Sequence, residues 1–267
     1  MSYPDDRLES IFQYIVEEYV KTAAPVGSRT VSELYHGRLS PASIRNVMGE
    51  LEEMGYIEQP HTSAGRVPTS KGFRFYVDRF MNRPGMQGAH TEPMPVSDWD
   101  EELTGGDVED FAQNVSRVLA RVAQNAGICY MHGVRRHTYL GEEAPELQDA
   151  LSEREIFYVN GASHVFEQPE FHDIRKAQSL IRALEFQNSI LRLLQRAIEE
   201  GKTHVFIGEE TESPELRHVG FVARNYSWHG RPVGCIAVLG PVRMHYGRAV
   251  NIVDRLAEAV SDHLNEF

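Results

Sequence analysis

The chain has 267 residues, 41% of them hydrophobic and 25% charged, which fits one large or two modest globular domains and excludes a disordered or fibrous chain. The formal net charge of −12 means that a nucleic-acid role needs a local exception to the acidic average. Two cysteines, Cys129 and Cys235, exclude a disulfide framework and a four-cysteine zinc site and suit a cytoplasmic protein.

The first 22 residues place Leu8, Ile11, Ile15 and Tyr19 on one stripe, which predicts a helix over 7–22. Pro25 and Gly27 break it. Ser28 is the expected cap of a short second helix with Val31 and Leu34 inward. Ser40 and Pro41 open a third helix, with Ser at the N-cap and Pro at the first helical position, where a missing N–H costs nothing. Its inward stripe is Ile44, Val47, Met48, Leu51 and Met54, and Gly55 ends it. Two short strands, at 56–59 and 66–68, then flank the turn-forming PHTSAG, and a helix over 69–82 follows.

Residues 83–106 hold three prolines and four glycines and keep no period, so they read as a linker. Beyond it a helix is expected over 107–125, strands at 128–131 and 155–160, one long helix or two over 173–200, and strands at 204–207, 219–226 and 232–239. A tight turn, Trp228-His229-Gly230, joins the last two strands, and a helix over 247–265 closes the chain. No apolar run reaches the ~20 residues that span a bilayer. The N-terminus has no signal-peptide pattern, so no membrane partner is expected. The fold class is α+β with an antiparallel sheet.

A helix-turn-helix followed by a β-ribbon is a winged helix, assigned here to residues 1–82. At 100° per residue, the face of the third helix opposite its core stripe carries Ala42, Arg45, Asn46 and Gly49, with Ser43 and Glu50 flanking. Arg suits guanine O6/N7 and Asn suits adenine N6/N7 in a major groove. Ser40 and Pro41 sit at the open end of that helix, and His61, Thr62 and Ser63 at the ribbon tip suit backbone or minor-groove contact. Residues 1–83 carry 10 Lys+Arg against 11 Asp+Glu, and the rest carry 17 against 28. The stretch from Gln59 to Val77 has no acid and holds Arg66, Lys71 and Arg74, expected at phosphates.

The run from Pro25 to Asp78, with its LSPASIRNVM and QPHTSAGRVPT blocks, closely resembles the heat-inducible transcription repressor family HrcA. So do Gly161-Ala162-Ser163, Gln168-Pro169-Glu170-Phe171, Ile207-Gly208-Glu209-Glu210, and Gly240 through Tyr246. The resemblance implies a dimeric repressor on an inverted-repeat operator upstream of chaperone genes, with a chaperonin partner that keeps it active. It also implies a GAF-like α/β domain, here 107–267, interrupted by a dimerising insert at about 140–202. Between the strand near 130 and EIFYVNGAS the chain is shorter than the family pattern. A small-molecule sensor in the GAF-like domain is the alternative function.

No nucleophile is arranged with a base, so no enzyme is expected. Among twelve histidines and two cysteines neither HxxxH nor CxxC appears, so no metal or cofactor is expected. Cys129 and Cys235 fall in apolar strands and read as core.

Overall fold

The computed structural model describes residues 6–81, 99, 108–134 and 154–266. The expected linker and most of the stretch before EIFYVN lie outside the described residues. The chain divides into two units, residues 1–89 with 242–245, and residues 90–241 with 246–267.

The first unit begins with α1 (Asp6–Thr22), which buries Leu8, Ile11, Phe12, Ile15 and Val16. Then come α2 (Ser28–Leu34) and α3 (Pro41–Glu53). Ser28 is not the cap of α2. Gly27 takes that position in extended geometry without a side-chain bond, and Ser28 is already helical. Two-residue strands β1 (Ile57–Glu58) and β2 (Val67–Pro68) pair antiparallel, Ile57 with Pro68 and Glu58 with Val67. The α4 helix (Ser70–Tyr76) starts where Thr69 Oγ1 accepts from Gly72 N, and it runs into a π-helical turn over Val77–Met81. Glu9, only 3% exposed, accepts from Arg79 Nε at 2.8 Å and pins that turn to α1.

The second unit is a five-stranded antiparallel sheet with helices on both faces. Its elements are α5 (Val108–Ala123), β3 (Ala126–Val134), β4 (Arg154–Asn160), α6 (Ala162–Phe166), α7 (Ile174–Phe186), α8 (Asn188–Glu200), β5 (His204–Ile207), β6 (Val219–Trp228), β7 (Arg231–Pro241) and α9 (Tyr246–Asn265). Strand order is β4-β3-β7-β6-β5. Because side chains alternate along a strand, Ile128, Tyr130, Cys235, Ala237 and Leu239 face one layer. There they form one core with Leu180, Ala183, Ile190, Leu193, Leu194 and Ala197 of α7 and α8. The alternate residues, Cys129, Val222, Ile236 and Val238, are equally buried on the other face, where α5 and α9 pack.

The helical stretch over 173–200 is two helices. Gln187 takes a left-handed φ of 56° that no α-helix contains, and the chain turns there. From residue 154 onward, the segment expected as an insert supplies an edge strand and two helices to the core of the sheet itself. The α6 helix and the short turn Pro169–His172 were not anticipated; at five and four residues they are too short to show a period. Burial pushes the Cys129 thiol up to about 12, and burial together with Cys129 raises that of Cys235, so both are inert core residues.

Candidate nucleic-acid interface

The α3 helix is fixed at both ends and along one side. Ser40 Oγ accepts from Ser43 N at 3.1 Å and lies 3.0 Å from Ser43 Oγ, so both hydroxyls serve the cap. At the other end Gly55 adopts φ +75°, with Gly55 N donating to Glu52 O and Tyr56 N donating to Leu51 O. These are the paired bonds of a Schellman ending, and glycine takes its left-handed position without the steric penalty of a Cβ. Between the ends, Ile44, Val47, Met48 and Leu51 are buried, each stabilising the module by roughly 1.5–3 kcal/mol.

The opposite side is open. Pro41, Ala42, Arg45 and Asn46 are exposed, and Ser43 and Gly49 are half-buried. A Cβ built on Gly49 would meet nothing within 4 Å. The sequence-predicted face is therefore a strip of small residues carrying one guanidinium and one carboxamide over its first turns, with the exposed carboxylates of Glu50 and Glu53 toward its C-terminal end.

His61, Thr62 and Ser63 are all exposed at the ribbon tip. Gln59 shapes this tip by donating from Nε2 to Thr62 O at 2.9 Å and Ala64 O at 3.1 Å. The loop before α2 adds a third rung to the ribbon, since Val26 N donates to Arg66 O and Arg66 N donates to Val26 O. Gly65 makes that approach possible: a Cβ there would lie 2.4 Å from Val26 O.

The three cations of the acid-free stretch each have a partner within the chain. Arg66 sends Nε and Nη2 to Glu52 Oε2 at 3.0 and 2.9 Å. Lys71 Nζ donates to Met54 O at 2.6 Å, over the Tyr56 ring, where a cation suits the C-terminus of α3. Arg74 pairs with Asp78 at 3.3 Å. Lys71 is exposed, and Arg66 and Arg74 are half-buried.

Two residues of this surface escaped the sequence reading. Glu52 reads in sequence as one more acid, although its place seven residues after Arg45 puts it on the same flank of α3. Gln59 had no local signal beyond its position beside a turn. Among the described residues no group of three or more His, Cys, Asp or Glu is placed to hold a metal ion, and no helix is long and apolar enough to cross a membrane.

Residues 100–250 match the family model described as the HrcA protein C-terminal domain. A heat-inducible transcription repressor HrcA of Pelotomaculum thermopropionicum is 31% identical over 98% of this chain and 97% of its own length. The chain belongs to the HrcA family. The corresponding repressor of Desulforudis audaxviator is 30% identical over 98% of both chains. The first of these alignments spans 341 positions against 267 residues here, so that relative carries segments with no counterpart in this chain. A solved crystal structure of a hypothetical protein shares the fold, with a TM-score of 0.72 at 19% identity over 99% of both chains.

Proposed function

We propose that the chain is a cytoplasmic transcriptional repressor of chaperone genes whose first unit, a winged helix, reads an inverted-repeat DNA operator. The observation that carries this reading is the open side of α3. Arg45 and Asn46 stand exposed among Pro41, Ala42 and Gly49, on the side of α3 opposite the buried stripe. A strip of that kind fits a major groove, with Arg45 and Asn46 at base edges and Ser40, Ser43, His61, Thr62 and Ser63 toward the sugar-phosphate backbone. Lys71 and Arg74 add positive charge at its rim, and Arg66 belongs to the same surface. Membership of a family of heat-inducible repressors supports the choice of regulated genes.

The second unit, GAF-like in our reading, serves association. A single short winged helix covers too little duplex for selective binding, and a two-fold dimer matches an inverted repeat. Ile174 and Ile181, seven residues apart on one side of α7, stand 71% and 42% exposed and Phe186 at its C-terminal end stands 71% exposed, and these uncovered apolar residues support a second copy of the chain as the partner. Chaperonin is the proposed partner that maintains the active form, and no cofactor enters the mechanism. The test is a footprint on the DNA upstream of the protein's own coding region. Protection of an inverted repeat that resists competition by scrambled duplex is expected, and equal competition by both rejects the reading.

A further inference from the structure

We infer that Glu52 and Arg66 form a positioning pair that sets the ribbon against α3, so that Arg66 acts on DNA through geometry and not as a phosphate contact. The inference rests on the DNA-reading surface proposed above. The two strands of the ribbon are two residues each, too short to fix an orientation by their own ladder. Arg66 supplies the missing constraint from two sides. Its backbone holds the loop before α2 through both bonds to Val26, and its guanidinium holds α3 through two N–H groups on the single atom Glu52 Oε2. One residue thus ties three chain segments.

Charge points the same way. The pair is neutral as a whole, and its side chains are 22% and 37% exposed, so it is less screened than a surface pair. A phosphate brought to Arg66 would approach the Glu52 carboxylate as well, which opposes it. Glu52 shares its flank of α3 with Arg45, so the ribbon is held on the side of the helix from which Arg45 projects. Loss of the pair as a unit moves the tip residues relative to Arg45 and leaves the net charge of the surface as it was.

The test uses the full-length chain and a duplex recovered by selection with the wild type from a random pool. Glu52→Gln and Arg66→Gln are each expected to lower affinity by a similar factor, roughly fivefold, with the salt slope unchanged. The exchange Glu52→Arg with Arg66→Glu is expected to recover most of the loss. Thermal melts identify any variant that fails to fold, and Glu52→Asp, which keeps the charge and shortens its reach, then reads the pair in place of that variant with a smaller loss in the same direction. The inference is overturned if Arg66→Gln flattens the slope by about one unit while Glu52→Gln leaves affinity unchanged, because Arg66 then meets a phosphate directly. It is equally overturned if the exchange folds and recovers nothing. Arg45→Ala separates the two levels. Its loss of binding beside an unaffected Glu52→Gln rejects the coupling alone, and an unaffected Arg45→Ala rejects the surface and the coupling together.

Discussion

Arg45 and Asn46 are exposed on the side of α3 that the core does not use, and neither supports the fold of the first unit. Replacing either with Ala should leave the melting temperature in place, cost about 1–3 kcal/mol of operator binding and relax base preference, as read by titration against operator and point-variant duplexes. The two cysteines lie at the opposite extreme, fully buried with thiols that burial holds un-ionised. A water-soluble thiol reagent at pH 8 should modify neither in the native chain and both after unfolding, which a mass measurement reads directly. At this scale the sequence made the two sides of α3 legible through their periodicity. Arg45 faces outward because Ile44 and Met48 face inward. It was silent on pairs distant along the chain, and this is why Arg66, read only as a cation in an acid-free run, turned out to be bonded to Glu52.

At the scale of elements, two glycines close to each other in sequence obey opposite constraints. Gly49 sits inside α3 with open space where a Cβ would go, so Gly49→Ala should stabilise the first unit by roughly 0.5–1 kcal/mol through helix propensity alone. Gly65 lies against the Val26 backbone, so Gly65→Ala should push the ribbon off the loop and lower the melting temperature. Calorimetry of the two variants side by side checks both signs. Helix and strand positions were legible because each carried its own signal: Ser40-Pro41 opened α3, and Trp228-His229-Gly230 closed the β6–β7 hairpin with His229 and Gly230 both at positive φ. The break at Gln187 was not legible, since Gln carries no turn signal and the apolar spacing runs on through it. The cap at Gly27 was missed because Ser28 next to it is the better capping residue by preference.

At the scale of the molecule, the stability of the second unit should depend on pH through its histidines. Burial holds His204 below its ordinary value, against the pull of Glu200, and burial with Lys176 and Arg217 does the same to His218. Each binds its proton more weakly in the folded chain than in the unfolded one. Their contribution is therefore present above the ordinary histidine range and lost as the pH falls through it. Denaturant melts from pH 7.5 to 5.5 should show stability falling on acidification, with a shallower fall in the double variant His204→Gln, His218→Gln. Association gives a second prediction: Ile174→Glu with Phe186→Glu should shift the sedimenting species from dimer to monomer and weaken operator binding, while the melt of the second unit changes little. If heat and chaperonin act through folded-state stability, operator affinity should fall at the temperature where that unit melts or dissociates. Chaperonin with ATP should restore it, as an affinity series against temperature would record.

The strand order β4-β3-β7-β6-β5 also dictates a sequence of events during synthesis. β7, which lies between β3 and β6, ends at Pro241, and β3 finds its partner there only after more than a hundred further residues have been added. Closing so distant a pairing is slow, and it cannot begin before β7 itself has been made. The helices and ribbon up to Met81 have by then been outside the ribosome for on the order of ten seconds or more. A newborn chain therefore carries the elements of its first unit before the five-stranded sheet can form. During that interval Ile128, Cys129, Tyr130 and Met131, which the finished sheet buries, lack the strand that covers one side of β3.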